Sequence, residues 1–418
     1  YDMNDLFTAE EKAQWFPQSI EEGSFRGRLL GPPILQSCSL LMYNKDMTDA
    51  AGINPPAALA DSWTMDEAMD AWVKTTLDND GDGVPDQWGV RWGQGTWTGD
   101  YEHGIFRRSN GVKGSDAWKG MGDDGVTFRG YVDAPESIEA HQFYQDMHQK
   151  QKVTPVESIP EIFESRISAF MVTPDNRIGA LNRIHGEGNF NWGVTGIPYF
   201  KTQVCHTGSW HYGISPNTTN LAEAVAFVKY AASDDGARIF YKYVRQLPAN
   251  IGLFNELPEY AEGGSQRLWL DAMNDFGIPR IGTPGYTEYH QMYAEALGNI
   301  QQGGDPAELL GAAAGRIEGL TAKYTGWLEN GCVFDSSYTR NAESVFPLAR
   351  VIQGWQIGLG KVGKGGKILI KIPPELGYGI QGAPPRIPGN SILFFYVELS
   401  DIQTLESYIE SQEKEEST

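Results

Sequence analysis

The sequence has 418 residues, of which 40% are hydrophobic and 12% aromatic, enough for packed cores in about three domains. Its formal net charge is −21, and so acidic a surface repels phosphate backbones, so we expect no nucleic-acid partner. The three cysteines, Cys38, Cys205 and Cys332, lie too far apart for a disulfide framework or a zinc site with paired spacing. The composition therefore predicts a globular protein, without indicating the redox compartment.

Amphipathic helices alternate with short apolar stretches from about residue 60 to residue 320, which predicts a mixed α/β architecture. Thr64 and Glu67 have capping-box spacing and predict a helix that runs through Trp72 toward Thr76. A second helix is predicted from Asn220 onward, with its apolar side chains on one face. A third is predicted from Asp305 to about Leu320.

An acidic loop follows the first predicted helix. Residues 78–86 (DNDGDGVPD) place Asp78, Asp80, Asp82 and Asp86 at positions 1, 3, 5 and 9 of a calcium-binding loop, with a glycine at position 6. Position 12 is Gly89, where calcium loops usually carry a bidentate glutamate, so the predicted affinity is weak. The alternative is a solvated turn between a helix and a strand. The seven histidines form no metal motif and are expected at the surface or at a ligand's edge.

The pattern changes at residue 320/321, where we place a domain boundary. Lys367, Leu369 and Lys371 alternate with isoleucines, and residues 392–399 form a β-branched and aromatic run, so both stretches predict strands. Residues 404–418 are rich in Glu, Ser and Lys and predict an acidic, largely disordered tail. The predicted regions are therefore 1–320, 321–403 and 404–418.

Six short blocks in the first region occur in a familiar order: residues 41–46 (LMYNKD), 62–67 (SWTMDE), 163–171 (FESRISAFM), 208–210 (GSW), 213–217 (GISPN) and 247–249 (LPA). Together they resemble the extracellular solute-binding proteins that feed sugar ABC importers. The resemblance implies two α/β lobes that close on a sugar, an ABC-transporter permease as partner, and a location in the periplasm or at the cell surface, with any export signal outside this chain. Members of that family carry a longer part before the first block, so we expect an incomplete first lobe with exposed sheet edges.

Sugar binding needs flat apolar faces for the rings and polar groups for the hydroxyls. Trp92 and Trp97 lie in an aromatic segment that also carries polar side chains, and Trp210 and Tyr212 lie in a block that often lines the cleft of the resembled family. We predict these four as ligand-binding residues, with Trp210 the strongest candidate. The alternative is that they pack in the core or between the lobes.

Four blocks in the second region agree in order and spacing: residues 324–337 (YTGWLENGCVFDSS), 351–355 (VIQGW), 372–379 (IPPELGYG) and 394–399 (FFYVEL). They resemble the core of an FKBP-type peptidyl-prolyl cis-trans isomerase. The resemblance implies proline-containing polypeptides as substrates, no cofactor for the isomerisation, and an α+β fold in which an antiparallel sheet wraps a short helix. It also places the pocket at Tyr324, Phe334, Asp335, Val351, Ile352, Trp355, Tyr378, Ile387 and Phe395.

In that pattern Trp355 forms the pocket floor, and Asp335 and Tyr378 orient the substrate, so that Asp335 is a positioning group and not a general base. Gly377 stands where alanine is commoner, and Arg386 stands in a loop position that is often apolar. Members also carry a first strand before residue 324, where this sequence is helix-like. We therefore expect an FKBP-like domain that lacks its first strand and is marginally stable by itself.

These observations predict an α/β two-lobe, periplasmic-binding-protein-like region with an incomplete first lobe, followed by an FKBP-like sheet. The predicted function is a prolyl isomerase that assists protein folding, fused to a sugar-binding-protein-like region. Two alternatives stay open at this point. One is a carbohydrate-binding component of an ABC importer without catalysis, and the other is a non-functional chimeric fragment.

Overall fold

The computed structural model describes residues 1–25, 27–93, 99–122, 127–282, 286–316, 319–340, 343–347, 351–359, 362 and 365–403. The predicted acidic tail, residues 404–418, lies outside this part of the chain. We refer to residues 1–316 as the N-terminal region and to residues 319–403 as the C-terminal region. No helix among the described residues is both long and apolar enough to cross a membrane.

The N-terminal region is rich in helices that flank short strands. Its helices are α1 (Ala9–Lys12), α2 (Pro17–Glu22), α3 (Lys45–Ala50), α4 (Met65–Thr75), α5 (Gly104–Asn110), α6 (Asp116–Lys119), α7 (Pro135–Gln149), α8 (Arg177–His185), α9 (Leu221–Ala231), α10 (Asp234–Val244), α11 (Arg267–Phe276), α12 (Tyr286–Gln301) and α13 (Pro306–Arg316). Its strands are β1 (Ser24–Phe25), β2 (Arg28–Leu29), β3 (Pro33–Leu35), β4 (Leu40–Asn44), β5 (Trp88–Arg91), β6 (Ser168–Thr173), β7 (Trp192–Thr195), β8 (Cys205–His206), β9 (Trp210–His211) and β10 (Gly277–Ile278).

A mixed sheet of order β5-β6-β4-β7 forms the centre of this region. Strand β4 is antiparallel to both β6 and β7, whereas β5 is parallel to β6. All six residues of β6 are buried, as expected for a strand that is covered on both faces. Short pairs β1-β2, β3-β9 and β8-β10 lie outside this sheet.

Helix α4 begins where the capping-box spacing predicted. The Thr64 backbone N–H donates to Glu67 Oε2 at 2.8 Å, and the Glu67 N–H donates to Thr64 Oγ1 at 3.3 Å, so both ends of the box are formed. One face of α4 buries Met65, Ala68 and Trp72 in the core. This predicted helix is confirmed, because it begins at the predicted cap and buries its apolar side chains on one face.

Two other helix predictions are confirmed in part. Helix α9 buries Val228, and Ala232 directly after the helix is buried too, but Leu221 at its start is exposed, so the predicted apolar face is shorter than the helix. Helix α13 ends at Arg316, before the predicted end at Leu320. Strand β11 begins at Gly319, and its first residues pair with the end of β15 at Gln403.

Burial of the histidines differs from the prediction. His141, His148 and His206 are all buried, so the expectation that they lie at the surface was wrong. His141 Nε2 lies 2.7 Å from the Tyr293 hydroxyl and its Nδ1 lies 2.6 Å from the Ser137 carbonyl oxygen. Burial lowers the pKa of His141 to about 4, which keeps the ring neutral at pH 7.

The cysteines are divided between the two regions. Cys38 and Cys205 are buried in the core of the N-terminal region, where Cys38 Sγ lies 3.3 Å from the Trp269 carbonyl oxygen. Cys332 is exposed in the C-terminal region. All three are free thiols in this structure.

The C-terminal region is an antiparallel sheet against one short helix. It contains β11 (Gly319–Leu328), β12 (Val333–Ser336), β13 (Ser344–Pro347), α14 (Gln353–Leu359), β14 (Lys367–Ile372) and β15 (Leu393–Gln403). The strand order is β12-β11-β15-β14, and β13 also pairs with β11. The alternation predicted for residues 367–372 is confirmed, since Ile370 and Ile372 are buried while Leu369 is exposed.

Candidate functional site

Four aromatic side chains on different elements of the C-terminal region meet on one face of the sheet. Tyr324 lies on β11, Phe334 on β12 and Phe395 on β15, while Trp355 lies on α14. Gly326 of β11 pairs with Asp335 on one side and with Phe395 on the other. A Cβ at Gly326 would lie 2.6 Å from the Phe395 ring and 2.7 Å from the Phe334 ring, so only glycine lets both rings close over the strand.

Trp355 lies at the centre of this aromatic pocket. Its ring is perpendicular to those of Tyr324 and Phe395, with centroids 5.1 Å and 5.0 Å away. Phe334 packs edge-on against Phe395 at 5.4 Å. Only 4% of Trp355 is exposed, and edge-to-face pairs of this kind fix ring orientation beyond simple burial. The pocket therefore has a rigid, apolar floor.

The remaining apolar members surround this floor. Ile387 is buried in the same core cluster, and Val351 and Ile352 pack against it while partly exposed. Helix α14 follows them directly and lies close to β14, since a Cβ at Gly354 would meet the Ile372 side chain at 2.5 Å. The structure thus brings the predicted apolar residues of this region into one cluster.

Asp335 is the charged group of the pocket, and two neighbours hold it. The Tyr324 hydroxyl donates to Asp335 Oδ2, and Arg340 Nη1 donates to Oδ1. Arg340 Nη2 also lies 3.0 Å from the Tyr324 hydroxyl, which closes a three-residue network. Burial would raise the pKa of Asp335, but the hydrogen bonds from Tyr324 and Arg340 outweigh it and lower that pKa, so the carboxylate is charged at neutral pH.

Tyr378 is the second polar member. Its side chain is 42% exposed, after the short helical turn Pro374–Leu376. Burial, and then the negative charge of Asp335, raise the pKa of Tyr378, so its hydroxyl keeps its proton and can donate a hydrogen bond. Arg386 Nη1 lies 3.4 Å from the Phe334 carbonyl oxygen, which places this unusual loop residue at the rim of the pocket.

The four predicted sugar-binding aromatics have different surroundings. Trp92 is fully buried between Trp72 and Phe106, so in this structure it packs the core and offers no face to a solute. Trp97 lies outside the described residues. Trp210 is 68% exposed on β9, and Tyr212 packs edge-on against Phe227 at 5.3 Å. Trp210 keeps the free ring face that stacking on a sugar requires.

Two adjoining cavities of about 880 and 690 Å³ share Glu21 and residues 279–282. His211, the neighbour of Trp210 on β9, lines the smaller one, and Arg280 lines both. We call this pair of cavities the cleft. Sequence reasoning missed its basic residues, because Arg108 and Arg280 lie far apart in the chain and belong to no motif.

Three of the four predicted calcium ligands converge. Oxygens of Asp78, Asp80 and Asp86 lie within 4.8 Å of one another, whereas Asp82 is not part of this group. The Asp78 carboxylate accepts N–H bonds from Gly81 and Gly83 at 2.7 and 2.9 Å, which wraps the loop around it. A Cβ at Gly89 would lie 2.3 Å from the Trp72 carbonyl oxygen, so a glutamate does not fit at the twelfth loop position.

Comparison with known proteins agrees with this geometry. The family described as "Bacterial extracellular solute-binding protein" matches residues 1–263, which is more than half of the chain, and the family described as "FKBP-type peptidyl-prolyl cis-trans isomerase" matches residues 313–400. The chain belongs to the bacterial extracellular solute-binding proteins and carries a C-terminal FKBP-type domain. The predicted fusion and its two fold classes are therefore confirmed.

Relatives of the FKBP-type domain are close in sequence. A probable FKBP-type peptidyl-prolyl cis-trans isomerase of Haemophilus influenzae is 57% identical over 79 residues, covering 19% of this chain and 33% of that protein. An FK506-binding protein of Neisseria meningitidis serogroup A is 44% identical over 97 residues, covering 23% of this chain and 89% of that protein. The chain spans about a third of the length of the first of these relatives.

The solute-binding region is similar to solved structures at the level of fold. A solute-binding protein of an ABC transporter from Thermotoga lettingae, bound to α-D-tagatose, aligns with a TM-score of 0.63 and 20% identity. The alignment covers 76% of this chain and 79% of that protein. At this identity the likeness shows the shared fold alone.

Proposed function

We propose that the FKBP-type domain catalyses cis/trans isomerisation of Xaa-Pro bonds in polypeptides. The observation that carries this proposal is the aromatic pocket itself, whose rigid floor consists of Trp355, Tyr324 and Phe395. Beside this floor lies the carboxylate of Asp335, which accepts a hydrogen bond from the Tyr324 hydroxyl. The Haemophilus influenzae relative of this domain is named as a probable enzyme of this class.

Uncatalysed rotation about the prolyl amide has a barrier of about 18–20 kcal/mol, because rotation breaks the amide resonance. No nucleophile or proton transfer is required. An apolar pocket lowers the barrier because it disfavours the polar planar amide relative to the twisted amide, in which charge separation is smaller. The proline ring would lie on Trp355, while the Tyr378 hydroxyl donates to a substrate carbonyl and Asp335 fixes the direction of the peptide.

Two substitutions test the positioning roles. We expect Asp335→Ala and Tyr378→Phe each to lower kcat/KM roughly tenfold, the effect of one lost hydrogen bond of about 1–1.5 kcal/mol. Neither side chain is deeply buried, so the free energy of unfolding should fall by no more than about 1 kcal/mol. A protease-coupled assay on a short Xaa-Pro peptide, together with urea unfolding, measures both quantities.

Tyr396→Phe is the matched control for these variants. Tyr396 lies on β15 next to Phe395, so its side chain points to the opposite face of the sheet, where its hydroxyl donates to Glu398 at 2.7 Å. This variant should retain the full rate. Loss of stability without loss of turnover in the Asp335 and Tyr378 variants would contradict their proposed roles.

A second candidate function belongs to the solute-binding region. We propose that residues 1–316 bind a carbohydrate in the cleft outside the cytoplasm and present it to an ABC-transporter permease. Support comes from the family match, from the exposed ring of Trp210, and from the smaller cavity of the cleft, which His211 of the same strand lines. The domain boundary at 320/321 remains a proposal, and β11 extends across it from Gly319.

We also propose that the acidic loop binds calcium weakly. The three converging carboxylates offer hard oxygen ligands, while the loop lacks a glutamate at Gly89, so we expect a dissociation constant of roughly 10⁻⁴–10⁻³ M. Calcium at 10 mM should then stabilise the protein by about 1.4–2.7 kcal/mol over the EDTA-treated chain, seen as a rise in melting temperature. Asp78→Asn should abolish the rise, whereas Asp70→Asn, on the exposed face of α4, should keep it. An equal rise in both variants would contradict the site.

A further inference from the structure

The larger cavity of the cleft has a charge opposite to that of the chain. The sequence contains 54 acidic and 33 basic residues, yet the basic side chains that line this cavity outnumber the acidic ones. The basic ones are Arg108, Lys113, Lys119, Lys201 and Arg280, and the acidic ones are Glu21 and Asp275. An excess of cations around a concave surface concentrates anions there.

Arg108 is the most informative of these residues. It is 4% exposed on α5, one of its Nη atoms donates to the Pro279 carbonyl oxygen at 3.1 Å, and its guanidinium lies 5.8 Å from the Trp118 ring. Its Nε has no hydrogen-bond partner, and Arg108 forms no ion pair with a carboxylate among the described residues. Of the two buried carboxylates that precede it in the described part of the chain, Asp100 pairs with Arg107 and Glu102 pairs with Arg91.

Burying a cation without a carboxylate in direct contact is costly, because the protein interior replaces water poorly around a charge. Burial, and then the adjacent charge of Arg107, lower the pKa of Arg108 to about 10, while the more distant charges of Asp100 and Glu21 oppose this shift only in part. Such a group, placed on the wall of a cavity, suits an anionic ligand that completes its hydrogen bonds.

Arg280 provides a second cation beside the first. It directly follows Pro279, whose carbonyl oxygen Arg108 contacts, and it lines both cavities. Its guanidinium lies 5.8 Å from the Tyr101 ring and 5.5 Å from the Tyr286 ring. These aromatic faces hold the side chain in position at the junction of the two cavities.

We infer that the cleft takes a saccharide that carries an acidic group, a carboxylate or a phosphate. The acidic group would lie between Arg108 and Arg280, and the sugar ring would lie against Trp118, which lines the same cavity. This inference rests on the proposed solute-binding function, and it narrows the solute from carbohydrates in general to acidic ones.

The test uses the full chain and isothermal titration calorimetry with four probes: glucose, glucuronic acid, glucose 6-phosphate and inorganic phosphate. We expect at least one acidic sugar to bind roughly tenfold or more tightly than glucose, because it gains charge-assisted hydrogen bonds. Preference for glucuronic acid identifies a carboxylate ligand, and preference for glucose 6-phosphate identifies a phosphate ligand. Either result supports the inference.

Variants tie the binding to these residues. Arg280→Gln should weaken binding of the acidic sugar roughly thirtyfold or more, because the acidic group of the bound sugar loses one of its two arginine partners. Lys113→Gln, at an exposed position, should weaken it about two- to threefold, and 0.5 M salt should remove that difference. Lys74→Gln, on the exposed end of α4, is the matched control and should bind normally. These positions spare Arg108, whose replacement could unfold α5.

Three results would overturn the inference. Glucose binding as tightly as the acidic sugars would refute the charge preference while leaving solute binding intact. Inorganic phosphate binding as tightly as glucose 6-phosphate would reduce the cleft to a simple anion site. No binding of any probe would refute the inference and would count against solute binding as well.

Discussion

Trp355→Ala is expected to abolish catalysed prolyl isomerisation and to lower the free energy of unfolding of the FKBP-type domain by about 3–5 kcal/mol. The reason is that Trp355 touches both Tyr324 and Phe395 and is almost completely buried. Its removal leaves a cavity where the proline ring should rest. The protease-coupled assay and tryptophan fluorescence during urea unfolding measure the two effects.

Leu359→Ala separates loss of the pocket from loss of folding. Leu359 lies one helical turn beyond Trp355 on α14 and is buried in the same core cluster, so its replacement should cost about 2–5 kcal/mol. Turnover per folded molecule should stay unchanged in this variant. If both variants lose activity only in proportion to the unfolded fraction, Trp355 has a structural role alone.

Asp100→Asn should destabilise the solute-binding region by about 3–5 kcal/mol, because it leaves Arg107 charged and buried without an anion. Asp100 Oδ1 lies 3.0 Å from Arg107 Nη2, both side chains are fully buried, and the Tyr289 hydroxyl donates to the same oxygen at 2.7 Å. Urea unfolding of the full chain, followed by circular dichroism, would show the loss as an earlier first transition.

The same pair predicts a dependence on pH. Burial raises the pKa of Asp100, but the charge of Arg107, together with smaller contributions from His206, Arg108 and the Tyr289 hydrogen bond, outweighs burial and lowers that pKa below its ordinary value. A lowered pKa in the folded state contributes stability above the unfolded pKa of about 4, and this contribution is lost as the pH falls further. Asp100→Asn should therefore show a weaker fall in stability between pH 4 and pH 2.

Glu256→Gln is the control for the buried pair. Glu256 forms an ion pair with Arg238 at 2.7 Å, but both side chains are about half exposed. Water screens this pair, so its loss should destabilise the protein far less than loss of the buried Asp100–Arg107 pair. Equal costs for Asp100→Asn and Glu256→Gln would contradict the argument that burial gives the first pair its importance.

Secondary structure was predicted most accurately from the sequence where short-range signals and tertiary contacts favour the same element. Thr64 and Glu67 define the start of α4 through hydrogen bonds between neighbours in the chain, so no distant contact is needed to place them. The alternation in residues 367–372 is likewise a local signal of a strand with one buried face. The pocket residues were placed by the order and spacing of four blocks, which the sheet register then brings together.

The predictions that differed from the structure depend on distant partners. Trp92 is in the core because Trp72 and Phe106 enclose it, and nothing in the segment around Trp92 reveals those neighbours. His141 is buried because Tyr293, on a distant helix, supplies a hydrogen bond that replaces water. The basic residues of the cleft were missed for the same reason, since only the fold brings Arg108 and Arg280 to the wall of one cavity.

The distribution of cysteines gives the folded chain a chemical asymmetry. Cys332 is open to solvent in the turn between β11 and β12, whereas Cys38 and Cys205 are enclosed in the other region. A maleimide dye added to the native protein would consequently attach to the FKBP-type domain at one defined position. Cys38 and Cys205 become reactive only when the core of the solute-binding region unfolds. One dye per chain therefore indicates that this region is folded, and three dyes per chain indicate that it has unfolded.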